Sequence, residues 1–340
     1  MQILEITDKE QWDRFLGEVK PNTFLQSWQW GQVQKRTGEN IRYLGFYEGQ
    51  QLQGVALVIT VNARRGKFFL IPHGPIIQSP LPLKTAVAEL VAYAKENATK
   101  EQVAALRIAP LTETSPESVA VFSEAGFRPA PLHIHAELTW VLSIYKSEEE
   151  ILAGMRKTTR HAIKKAQQAN VQVEIVTDIQ TGLDRFWPLY ETTKDRHGFV
   201  PFSRSFLQTQ AEEFSKENNM FFVIASHDGK DVAGAMLMHF GDTVFYYHGA
   251  SLKLSTSIPA AQLLQWETIK EAERRGATQY NFWGIAPDNE PNHPFAGITT
   301  FKKGFGGYAI DYLHAQDLPL SFGYWKMWLI DMWRKKRRGF

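Results

Sequence analysis

The sequence predicts an α/β protein with mixed sheets, made of two tandem copies of one unit and closed by an amphipathic C-terminal helix. Length is the first reason: 340 residues exceed the ~250–300 at which a single core stops growing. The second is an internal repeat. GQQLQGVALVI from Gly49 returns as GKDVAGAMLMH from Gly229, 180 residues later. The helical stretch 83–97 with VAALRIAP (103–110) returns as 259–275 with TQYNFWGIAP (278–287), at an offset of about 177. EAGFRPA (124–130) returns loosely as KGFGGYA (303–309), 179 residues later. The third is that each copy runs through its elements in one order.

A helix (8–19, then 181–196) comes first in each copy. Strands follow at IRYLGFYE (41–48) and MFFVIASH (220–227), then, after a Gly-bearing turn, at VALVITV (55–61) and GAMLMHF (234–240). An aromatic strand comes next, KFFLIPHGP (67–75) and TVFYYHGAS (243–251). In the second copy the amphipathic helix has Pro259 at its start and Gly276 past its end, the expected asymmetry. A late buried strand closes each unit. Between the copies Ser147 and Glu150 form a capping box, and the helix is expected to run on through ILAGMRKTTRHAIKKAQQAN. The predicted domains are 1–145, a joining basic helix over 146–180, a second domain over 181–318 and a terminal helix over 319–340. This order of strands, helix and strand is the one an N-acyltransferase of the GNAT class would show.

Composition excludes several chemistries. There is no cysteine, so disulfides, thiolate nucleophiles and Cys–zinc sites are out. No apolar run reaches the ~18–20 residues of a membrane span. The opening MQILEITDKEQWDRF has no basic and apolar leader pattern, so a cytoplasmic protein is expected. The net charge is +2, but it is unevenly spread. Residues 320–340 hold Lys326, Arg334, Lys335, Lys336, Arg337 and Arg338 against Asp331, leaving the rest of the chain mildly acidic. Only local patches of the body can therefore bind a polyanion. The ten histidines are scattered. His133 and His135, on one face of an expected strand, lack a third ligand, so no metal is expected.

Several segments taken together resemble the Fem family of aminoacyl transferases, over nearly the whole length. They are FLQSWQWGQVQKRTG (24–38), GKFFLIPHGPII (66–77), RKTTRHAIKKAQQANVQVEI (156–175), KDRHGF (194–199), YYHGAS (246–251) and FWGIAP with FKKGFGG (282–307). The resemblance implies two tandem GNAT-like acyltransferase domains, consistent with the repeat. The stretch from Lys164 to Val173 leaves no room for the coiled-coil arm of some members. It also implies transfer of an amino acid from aminoacyl-tRNA to the stem-peptide amine of a peptidoglycan precursor, lipid-linked or UDP-linked, with no cofactor. An acyl-CoA-dependent N-acetyltransferase is the rival enzyme. Its pyrophosphate would sit on a Gly-rich loop before a helix, and neither SLKLSTSIPAAQ nor QSPLPLK has that spacing. A non-catalytic, membrane-associated scaffold of the same fold is the alternative from outside enzymology.

The resemblance also assigns residues. Lys302 matches a lysine placed at the reacting carbonyl, with Phe301 shaping the adjoining pocket. Lys35 and Arg36 follow the WQWG turn as cations for the acceptor's diphosphate, with Arg204 and, as nearest substitute, Arg196 from the second domain. Strict alignment puts Gln34 at the family's cation position. Tyr246 and His248 are the expected substrate-side residues of the aromatic strand. Alternation allows only one of Tyr246 and Tyr247 to face a given cleft. Ala109 stands where a related member has an acid, so no carboxylate base is expected there. Arg156, Arg160 and Lys164 are candidates for tRNA phosphates, Arg160 and Lys164 sharing a helix face; helix-dipole charge on a solvated face is the competing account.

In YWKMWLIDMWRKKRRGF, Trp325, Trp328, Leu329, Met332 and Trp333 fall on one helical stripe. With the basic end this matches an interfacial helix. An anionic membrane surface, met through 322–338, joins aminoacyl-tRNA and the peptidoglycan precursor as expected partners. Docking on the body and contact with tRNA are the other uses of the same segment. The expected place of work is cytoplasmic, peripheral on the inner face of the cell membrane.

Overall fold

Each half of the repeat builds most of one sheet, and the two sheets have the same strand order. The computed structural model describes residues 1–197, 201–252 and 258–338, without the side chains of 195–197 and 338. The first sheet runs Gln2–Glu5, Asn40–Glu48, Gln51–Ala63, Gly66–Pro72, Ala105–Ala109, Gln316–Pro319, Arg128–Pro129, with Ile76–Ile77 paired beside Gln51–Ala63. The second runs Gln172–Val176, Met220–His227, Lys230–Phe240, Thr243–Ser251, Gln279–Gly284, Leu138–Ser143, Tyr308–Asp311. In both, the fourth and fifth strands are parallel. The repeat read from three landmarks is thus a repeat of topology.

The domain boundaries need correction. One unit gathers Met1–Leu138, Ala286–Pro294 and Ile310–Phe340; the other gathers Thr139–Ile285 and Phe295–Ala309. The sixth strand of each sheet comes from the end of the other sequence half. Leu138–Ser143 pairs with Gln279–Gly284, and Gln316–Pro319 pairs with Ala105–Ala109. A cut at residue 145 or 318 would remove a strand from one sheet. Alternation shows that a segment is a strand but does not show which edge it joins.

The cores follow the apolar faces. In the first unit, Phe46, Val58, Phe69 and Ile108 of the sheet pack against Val87, Leu90 and Ala94 of helix Leu83–Glu101. In the second, Phe221, Val223, Leu237 and Phe282 pack against Leu263, Leu264 and Ile269 of helix Ala260–Arg274.

The joining helix is two helices, not one. Ser147 and Glu150 do form the reciprocal cap, but the first helix ends at Gly154 and the second is Lys157–Gln168. Met155 and Arg156 between them are extended. There the Arg156 amide donates to the Gly304 carbonyl at 2.9 Å. The Arg160 guanidinium donates back to the Leu152, Ala153 and Met155 carbonyls. It satisfies acceptors that the first helix leaves open at its end. His133 and His135 also differ from expectation, lying in irregular chain before Leu138–Ser143.

The terminal helix Gly323–Arg338 docks by a face that charge decides. Arg107 and Asp317 are cross-strand partners joined by two hydrogen bonds of 2.6 and 2.8 Å. Asp331 of the helix reaches the same Arg107 at 3.2 Å and Arg65 at 3.0 Å. Arg107, Asp317 and Asp331 are fully buried. Burial works against the Arg107 charge, and the two carboxylates outweigh it. Tyr324 and Met327, on the same side of the helix as Asp331, are also fully buried. Among the described residues no helix is long and apolar enough to cross a membrane.

Candidate active site

The two units differ at their parallel strand pair. In the first, pairing continues to the last residue of both strands, from Phe69–Leu106 to Pro72–Ala109. In the second, it covers only Thr243–Gln279, Val244–Tyr280 and Phe245–Asn281. Beyond that point the register of Thr243–Ser251 against its other neighbour shifts between Leu237 and Met236, which leaves Tyr247 as an extra residue. Such a bulge bends and twists its strand. On the other strand Trp283 takes a left-handed conformation, φ 66°, held by the Asn281 Oδ1 acceptor 2.7 Å from its amide. A bulky residue there is strained, and such strain collects at functional sites. The rings of Tyr247 and Trp283 meet edge to face with centroids 5.3 Å apart. Ligands in sheets with parallel strands bind beyond the carboxyl ends where strands part, and that describes the end of Gln279–Gly284.

Lys302 stands at this end. It comes from helix Ala296–Lys303, is 5% exposed, and its Nζ donates to the Gly284 carbonyl at 2.5 Å. Burial pushes its pKa from 10.5 down to about 7, since an ammonium out of water loses its hydration. Phe301, one residue earlier, turns to a cleft of about 320 Å³ lined by Arg156, Thr158, Thr159, Gln262 and Thr300. Phe301 rests on Phe305, ring centroids 5.3 Å apart. The following GFGG turn is sterically required. Gly307 has φ 100°, and a Cβ there would lie 2.3 Å from the Val141 carbonyl oxygen. The turn returns the chain to Trp140, whose indole donates to the Gly306 carbonyl at 2.6 Å, and Lys303 lies over that indole at 5.2 Å.

The structure brings together some of the expected residues and separates others. Lys302, Phe301 and Arg156 gather in the second unit around helix Ala296–Lys303. Arg160 caps a helix instead of facing solvent freely, and Lys164 is exposed farther along Lys157–Gln168. Arg204 is exposed and paired with Asp184. Arg196 lies in helix Ile179–His197 with its side chain outside the described residues, as are 253–257 of the SLKLSTS loop and 198–199 of KDRHGF. Lys35 and Arg36 are exposed in the last turn of helix Trp28–Arg36, where cations suit the dipole. Tyr246 belongs to the core, not to the cleft. Its ring crosses Gly249 so closely that a Cβ there would fall 1.8 Å from its hydroxyl, and burial raises its pKa to about 12. The residue at the parting strands is its neighbour Tyr247. His248 is a packed neutral histidine. Burial lowers its pKa to about 3, its Nε2 donates to Gln210 Oε1 at 3.0 Å, and Phe202 and Tyr190 abut it.

Sequence reading missed Trp283 and Tyr247. Neither a one-residue bulge nor a left-handed non-glycine residue leaves a periodic signal.

A parted parallel pair beside a buried lysine, on a sheet repeated twice in the chain, defines an acyltransferase of the GNAT class in tandem form. A sequence profile of the acetyltransferase (GNAT) domain matches residues 153–302, and one of the FemAB family matches residues 6–117. The lipid II:glycine glycyltransferase of Staphylococcus aureus strain MRSA252 is 22% identical, with 94% of this chain and 93% of that protein covered. That of Staphylococcus epidermidis RP62A is 21% identical at the same coverage. The Staphylococcus aureus alignment spans 398 positions, more than the 340 residues here, so that relative holds segments this chain lacks. The crystal structure of FemX superimposes with a TM-score of 0.84 at 20% identity, covering 97% of this chain and all of that one. Over nearly its whole length the chain is similar to transferases of the Fem family, and it carries their fold.

Proposed function

We propose that this protein moves an amino acid from aminoacyl-tRNA onto the stem-peptide amine of a lipid-linked peptidoglycan precursor, building a cell-wall cross-bridge. The observation that carries the reading is Lys302, buried at the carboxyl end of the parted strands. The reaction makes a C–N bond and breaks the ester C–O bond of the donor. Charge builds on the carbonyl oxygen in the tetrahedral state, and a preplaced donor there is worth about 3–4 kcal/mol. The Lys302 Nζ, moved from the Gly284 carbonyl to that oxygen, supplies the donor. The amine proton leaves through water or substrate to the departing tRNA hydroxyl, so no side-chain carboxylate is required. Arg156, on the rim with Phe301, offers a cation to the donor's terminal phosphates. Arg204, exposed at the start of its helix, remains a proposed cation for the acceptor diphosphate.

The names of the staphylococcal relatives favour a lipid-linked acceptor and glycine as the transferred residue. A transfer assay with a pool of aminoacyl-tRNAs and lipid-linked or UDP-linked precursor tests both. Incorporation that does not need aminoacyl-tRNA, or no transfer to either precursor, would remove the proposal. The match to an acetyltransferase profile favours an acyl-CoA donor as the second reading. A thermal shift with acetyl-CoA would support it, and none is expected.

A further inference from the structure

The apolar stripe of the terminal helix faces away from the protein. Docking uses Tyr324, Met327 and Asp331, all fully buried, and the buried charge of Asp331 between Arg65 and Arg107 leaves the helix no freedom to turn about its axis. The stripe is consequently left outside. Phe322 is 89% exposed, Leu329 62%, Trp333 60%, and Trp325 and Met332 40% each. At 150–250 Å² for an aromatic side chain this is roughly 500 Å² of continuous apolar surface, at the upper end for a soluble monomer. Lys326, Lys335, Lys336 and Arg337 are exposed on the same helix. Arg337 lies over the Trp333 ring at 5.5 Å, and Arg128 lies over Trp325 at 4.7 Å.

We infer that this face is a membrane-docking surface for anionic lipid, lying in the plane of the interface. Its chemistry selects that partner over a second copy of the chain. Tryptophan and phenylalanine rimmed by lysine and arginine suit the headgroup level of an anionic leaflet. A second copy would set these basic rims against one another. The role of the buried face is then positional, since the Asp331 contacts hold the stripe outward at a fixed angle to the first unit's sheet. The inference is independent of the substrate proposed above and would survive a different acyl acceptor.

Co-sedimentation of the full chain with phosphatidylcholine vesicles, with and without phosphatidylglycerol, tests it. Binding to the anionic vesicles and much weaker binding to the neutral ones is expected. Each basic side chain near an anionic surface is worth about fivefold in partition. Lys326→Gln with Lys336→Gln should therefore weaken anionic binding by roughly 25-fold and leave neutral binding unchanged. Leu329→Gln with Trp333→Gln should weaken both by roughly tenfold or more. Thermal midpoints should match the parent, because these side chains are far from the Asp331 face. Phe322→Ser, before the helix, is a second stripe variant should the first disturb folding. Equal sedimentation of parent and stripe variants, or no sedimentation of the parent, would overturn the inference. So would a dimer in ultracentrifugation that the stripe variants abolish while vesicle binding is absent.

Discussion

Replacing Lys302 by methionine should make the protein more stable and nearly inactive. The side chain is 5% exposed, and burial moves its pKa from 10.5 to about 7. Each tenfold displacement of a proton equilibrium is about 1.4 kcal/mol, so keeping the ammonium folded costs on the order of 5 kcal/mol. Below pH 7 both folded and unfolded states carry the charge and the whole cost is present. Between pH 7 and 10.5 the unfolded state binds the proton more tightly, so stability rises with pH across that window. Above 10.5 the cost is gone. Methionine has similar length and no charge, and recovers part of the cost, about 2–4 kcal/mol. For a unit of this size that is roughly 5–10 °C in Tm. The assay is thermal unfolding of both proteins at pH 6 and pH 10, beside single-turnover transfer. The expected gain is large at pH 6 and small at pH 10, with transfer reduced 10²–10³-fold. In the parent, a donor role also predicts that kcat/KM falls as pH rises through about 7. A variant that is no more stable at pH 6 than at pH 10, or that transfers within threefold of the parent, would refute the reasoning.

Asp331→Ala should cost about 3–5 kcal/mol in urea unfolding, because it strips a partner from buried Arg107 and from Arg65. The apolar triple Arg107→Met, Asp317→Leu, Asp331→Leu should cost less than that single change. Gly307→Ala should destabilise by more than about 2 kcal/mol, since φ 100° and the Val141 oxygen at 2.3 Å both oppose a Cβ. His314 donates from both ring nitrogens, to Glu137 Oε2 and the Ala130 carbonyl, each at 2.7 Å. Burial opposes its charge, but the Glu137 carboxylate raises its pKa above 6.5. The stability it adds is complete below pH 6.5 and lost as pH rises through the higher folded value. His314→Gln should accordingly differ most from the parent at pH 5–6, by under about 1 kcal/mol because the site is partly solvated, and the difference should close in alkaline buffer.

Much of the fold was legible because repeats and periodicity are local. Met220–His227 and Thr243–Ser251 occupy the very residues expected of them, and the Ser147–Glu150 cap formed as its spacing implied. The break at Met155 was less legible, because nothing in LAGMRKTTR forbids a continuous helix. The distant Gly304 carbonyl and the reach of Arg160 back to three carbonyls create it. Tyr246 and Tyr247 show the same limit at the site. Alternation allowed at most one of them to line a given cleft, while the bulge at Tyr247 and the packing of Tyr246 over Gly249 come from the fold.

From the sequence alone came the tandem α/β repeat, the family resemblance, the lysine expected at the carbonyl, and a terminal helix with a tryptophan stripe and a basic end. These depend on which residues are present and how they are spaced along the chain. Tertiary structure decided which sheet receives Leu138–Ser143 and Gln316–Pro319, which of two parallel strand pairs opens, and which way the stripe faces. Each of those turns on contacts between residues far apart in the chain, Asp331 with Arg65 and Arg107 above all. A buried charge must find its partner wherever the fold places it, and the rest of the helix face is then left to solvent or to lipid.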